Sequence, residues 1–114
     1  MENNDFKLIF DNQKKLQKKA LNVELPIDDP QQFYLHSTAC TIEIGEAIQE
    51  DNRWKKMMGS KREIKLDKKA KLEELVDAQL FLINSILFSG FTYEEFMEAY
   101  NNKMNINLER FGEK

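Results

Sequence analysis

Residues 71–90 read KLEELVDAQLFLINSILFSG, and this stretch decides the fold class. Leu72, Leu75, Val76 and Leu80 recur at helical spacing, and from Phe81 to Phe88 apolar residues surround the axis almost completely. The run is too long for an ordinary strand and carries the helical period, which predicts a helix from about residue 67 to about 89. Gly90 stands where a helix commonly ends, because glycine adopts the left-handed conformation there without penalty. A helix that is apolar on all sides is buried on several of them, as at a bundle centre or a subunit interface.

Working outward, three further helices are expected. Asp29, Pro30 and Gln32 form a start signal, with a cap, a first-turn proline and a capping-box position; that helix should run to about residue 51. Residues 5–20 form another, with Phe6, Ile9, Phe10, Leu16 and Ala20 as its apolar side and Lys14, Lys15, Lys18 and Lys19 in water. Thr92 with Glu95 three positions on is a capping box, opening a last helix that ends between residues 105 and 110. Residues 52–67 read as a polar, basic connection around Gly59-Ser60. A loop of that length is often functional. Four Gly and two Pro in 114 residues suit long helices better than a turn-rich β fold. The expectation is one all-α domain over residues 1–114, a bundle of four to five helices.

Composition removes several function classes. A net charge of −3 argues against stable nucleic-acid binding. A single cysteine, Cys40, excludes an internal disulfide framework and a cysteine-based zinc site. Residues 1–10 lack the pattern of a signal peptide. The longest apolar stretch, residues 80–88, is less than half of the ~20 residues that a membrane span needs. A cytoplasmic protein with no membrane partner is expected. The only histidine, His36, cannot supply the paired Glu-x-x-His ligands of a di-iron bundle.

Four carboxylates carry the chemistry. Glu43 and Glu46 are three apart, and so are Glu74 and Asp77; this spacing places each pair on one helix face. Residues 38–48, TACTIEIGEAI, hold no other charge, and Asp77 precedes the most apolar run of the chain. Ionised carboxylates beside apolar surfaces need partners. Two antiparallel helices could gather all four, and carboxylates without histidine or cysteine suit Mg²⁺ or Mn²⁺. Helix ends and salt bridges are the alternative use of the same residues, in a non-catalytic helical interaction protein.

Glu43-Ile44-Gly45-Glu46, followed after 27 residues by Glu74-Leu75-Val76-Asp77, resembles the signature of the all-α NTP pyrophosphatases. These include the dimeric dUTPases, the MazG-like proteins and the dCTP pyrophosphatases. Trp54-Lys55 and the series Tyr100, Lys103, Asn107, Arg110 resemble the dUTPase branch and related phage enzymes. The resemblance spans about residues 39–110. It implies Mg²⁺-dependent hydrolysis of a dNTP to a nucleoside monophosphate and pyrophosphate. Glu43, Glu46, Glu74 and Asp77 would be the metal ligands, with Glu46 also as catalytic base. Trp54, Lys55, Lys103, Asn107 and Arg110 would be substrate contacts. Gln13 stands at a position where dimeric dUTPases read uracil. Gln17 stands where they carry Asn, and Met104 where they favour Asn. The first substrate expected is dUTP; a MazG-like house-cleaning role on dCTP or modified nucleotides is the alternative. The apolar third helix and the short chain predict a homodimer or homotetramer.

Overall fold

In the computed structural model of the protein, residues 5–112 are described. Their regular elements are all α-helices: α1 (Asp5–Leu21), α2 (Pro30–Gln49), α3 (Arg53–Met57), α4 (Lys68–Leu87) and α5 (Tyr93–Arg110). No helix among them is long and apolar enough to cross a membrane. The helices fall into two compact units, Met1–Pro30 with Ile86–Lys114, and Gln31–Ser85.

The first unit centres on Phe10, which is fully buried and touches Phe6, Tyr93 and Phe96 through edge-on and tilted ring contacts. Such geometries set the electropositive ring edge against a neighbouring π face. The buried side of α1 differs from the expected one. Phe10, Gln13 and Gln17 form it, while Leu16 is 53% exposed. Positions 10, 13 and 17 fall on one helical stripe that also contains Phe6, and packing of the aromatic rings fixes that stripe inward. Asn22 closes α1 in the left-handed conformation, φ 53°, and donates its backbone N–H to the Lys18 carbonyl.

Residues 27–29 then run antiparallel to 87–89, with backbone bonds from Ile27 to Leu87 and from Asp29 to Phe88. Gly90 has φ +87° and lies against Asp28, whose Cβ is 3.5 Å from where a side chain would begin. The positive φ is what favours glycine, since a Cβ at 3.5 Å would make only an ordinary contact. Thr92 caps α5 as expected: its hydroxyl accepts from the Glu95 N–H, and the Glu95 carboxylate accepts from the Thr92 N–H.

The second unit is built on α2 and α4. Ser37 meets Ser85 at 2.9 Å, the Asn84 amide lies 3.3 Å from His36 Nδ1, and the His36 ring rests near Phe81. Further along, Asp51 meets Lys71. Rising numbers on one helix pair with falling numbers on the other, so the two are antiparallel. Ala47 on α2 and Ala78 and Ile83 on α4 are buried, while Leu82 on α4 is 45% exposed. Burial of the C-terminal half of α4 thus reaches Ile83, Asn84, Ser85 and Leu87 but leaves the side of Leu82 open.

The expected loop over 52–67 requires correction, since it contains α3 and its ends are tied together. The Asn52 N–H donates to the Lys65 carbonyl, and its side chain donates to Glu63 O and accepts from Lys65 N. Asp67 N–H closes the base on Glu50 O. One asparagine thereby satisfies the backbone groups that a long connection would leave to water.

Candidate metal centre

Antiparallel packing brings the first acidic pair on α2 to the second on α4. Carboxylate oxygens of Glu43, Glu46 and Glu74 all lie within 4.8 Å of one another. Glu43 and Glu74 are half-buried and Glu46 is exposed. The Glu43 Oε2 atom is buried and has no hydrogen-bond partner. A buried acceptor without a donor is costly and uncommon in folded proteins.

The electrostatics follow from this crowding. Hydrogen bonding with Glu46, then burial, then the charges of Glu46, Glu74 and Asp77 push Glu43 up to about 7. Glu74 is also raised, first by burial and then by Glu46 and Asp77. Like charges at this range cannot all ionise without a cation, and a hydrogen bond between two carboxyl groups exists only while one keeps a proton. Asp77 is exposed and stands outside the converging set of three, but its charge is felt by both Glu43 and Glu74.

The donor set fits a hard divalent cation. It is all oxygen, it has one unpartnered buried acceptor, and its spread is close to what ligands around one small ion require. Glu43, Glu46 and Glu74 would hold such an ion, with Asp77 next in reach.

The same unit also holds an open, largely apolar cavity of about 780 Å³, within the size range of small-molecule sites, and none of the three carboxylates lines it. Ile44, Ala47 and Leu75 line it, each adjacent in sequence to one of the three carboxylates, together with Ile48, Trp54 and Met57. Trp54 and Lys55, expected in a loop, sit on α3, with the Lys55 ammonium 5.5 Å from the Trp54 ring centre. At the polar end of the cavity, Arg53 grips Asp51 through two bonds of 2.8 Å and Lys71 adds one of 2.7 Å. Arg53, then Lys71, hold the Asp51 carboxyl well below the usual carboxylate range. Sequence reasoning missed this clamp. Its members are two and twenty positions apart and follow no helical period, so the only signal was the acid-base composition.

The remaining candidates lie in the other unit. Lys103, Asn107 and Arg110 are exposed on α5, spaced over two turns, and Arg110 lies near the Phe111 ring. Gln13 and Gln17 are buried, at 5% and 7% exposure. No protein-family model, curated protein or solved structure matches this chain.

Proposed function

We propose that the chain is a divalent-cation-dependent nucleoside triphosphate pyrophosphohydrolase of the all-α, MazG-like kind. The observation that carries this reading is the convergence of Glu43, Glu46 and Glu74 around an unpartnered buried oxygen. A bound Mg²⁺ or Mn²⁺ would offset phosphate charge and lower the pKa of an attacking water.

The protein's own residues divide the remaining work. Glu43 and Glu74, half-buried, serve as fixed ligands. Glu46, the exposed member, has access to a water and accepts its proton as it attacks the α-phosphate. The apolar cavity of the same unit takes the base, with Trp54 as a stacking wall. Its open shape fits no base better than another, so dUTP remains the first substrate to test, with dCTP and modified nucleotides next. Lys103, Asn107 and Arg110 are proposed as phosphate and sugar contacts on their motif spacing. Gln13 and Gln17, being buried, are left out of the contact set.

The same reading includes a homodimer or homotetramer. Ile42, Ile44, Ile48, Leu72, Leu75 and Val76 are each more than 40% exposed, which is much apolar surface for a small chain. A panel of dNTPs with Mg²⁺, assayed for pyrophosphate, tests the activity. Turnover of at least one nucleotide, lost in Glu46→Gln, is expected. A chain with no turnover on any nucleotide, yet dimeric through this apolar surface, would instead be a helical interaction protein.

A further inference from the structure

The cations of this protein are unevenly placed. Residues 53–71 hold nine of the 17 Lys and Arg residues and only two acids, Glu63 and Asp67, in a chain of net charge −3. Arg53 and Lys71 are engaged by Asp51. Among the described residues, none of the other seven forms an ion pair. The segment is also apolar where it is most exposed. Met57 is 84% exposed and Met58 80%, with Ile64 at 46%. These side chains sit in and just after α3 and in the tied loop, so Asn52 holds the apolar tip and the cations together on one short scaffold.

We propose that residues 53–71 form a docking surface for an anionic lipid bilayer. Only charges within a Debye length, ~8 Å at physiological salt, act strongly on such a surface. The local cations therefore outweigh the acids elsewhere in the chain. Lys56, Lys61, Arg62 and Lys65 meet the headgroups, and Met58 and Ile64 leave water at the interface, where basic and apolar side chains act together. A soluble polyanion would use the cations but gain nothing from Met58 and Ile64. A single-stranded nucleic acid would stack its bases on aromatic faces, and the one aromatic ring of the segment, Trp54, lines the cavity. This departs from the expectation of no membrane partner; that no helix among the described residues is long and apolar enough to cross a membrane does not bear on a contact that lies on a bilayer.

The test is co-sedimentation of the full chain with vesicles of phosphatidylcholine alone, and of phosphatidylcholine and phosphatidylserine in equal parts. A poly-dT oligonucleotide is titrated in parallel. Binding to the anionic vesicles only, weakened by salt, is expected. Each cation near such a surface is worth about fivefold in affinity, so Lys61→Gln with Arg62→Gln should weaken binding about thirtyfold. Met58→Ser should weaken vesicle binding further while leaving the salt dependence unchanged. Circular dichroism of both variants, matching the parent, keeps the comparison free of folding effects. No sedimentation with anionic vesicles at low salt would overturn the proposal. So would oligonucleotide binding as tight as vesicle binding, with Met58→Ser affecting neither.

Discussion

Protons and a divalent cation compete for the same oxygens at Glu43, which gives a measurable consequence. With the carboxyl pushed up to about 7, about one molecule in ten carries an ionised Glu43 near pH 6, and about nine in ten near pH 8. A cation must displace the proton to bind. Its apparent affinity should therefore rise about tenfold from pH 6 to pH 8, and Glu74, raised in the same direction, adds to the slope. The assay is Mn²⁺ titration followed by the electron paramagnetic resonance of the free ion. Glu43→Gln should lower affinity and flatten most of the slope. Equal affinity at the two pH values, or an unchanged slope in Glu43→Gln, would refute the reasoning. The metal-free protein provides a second readout. In the unfolded chain this glutamate titrates near ~4.3, so up to about 7 the folded state holds a proton that the unfolded state has released. The Glu43 contribution to stability without metal should be full below ~4.3, fall as pH rises to about 7, and level off above it. Saturating Mn²⁺ should remove that decline.

Other outcomes follow from single contacts. Glu46→Gln should lower kcat by roughly 10²–10⁴-fold, the usual worth of a positioned base, with cation binding measured separately by Mn²⁺ titration. Phe10→Ala removes the fully buried ring at the centre of the aromatic group and should cost about 3–5 kcal/mol in urea unfolding. Thr92→Ala removes the hydroxyl arm of the α5 capping box while the backbone N–H of residue 92 keeps its bond to Glu95, and should cost about 1 kcal/mol in the same assay. Asp51→Asn releases Arg53 and Lys71, so trypsin should cut within 53–62 faster than in the parent.

Much of this architecture is legible in the chain because local signals report it. The α5 cap, the Pro30 start of α2 and the glycine after α4 are set by backbone groups a few residues apart. The acidic spacing likewise indicated a cluster, because helical period alone determines which residues share a face. What escaped was set by distant contacts. Gln13 and Gln17 displace Leu16 from the buried side of α1 because the aromatic rings of α5 choose the stripe. The short α3 and its tied loop depend on Asn52, whose partners lie 11 and 13 positions away. No periodicity announces such a bond. The separation of Asp77 from the other three carboxylates is equally a matter of three-dimensional placement.

The contact of Ser37 with Ser85, and of His36 with Asn84, has a consequence at the other end of the same helices. Apolar helix faces tolerate sliding, because one turn of displacement exchanges one methyl-lined hollow for another. A hydroxyl pair does not, since a slip of one turn, about 5.4 Å, would part Ser37 from Ser85 and His36 from Asn84 at positions where Asn84 and Ser85 are 3% exposed. The polar seam thus acts as a key that indexes α4 along α2. It holds Glu74 level with Glu43 and Glu46, which are two turns away on α2. Replacing the four seam residues with alanine should keep the helices together while blurring their alignment, and cation affinity should fall although every proposed ligand remains in place.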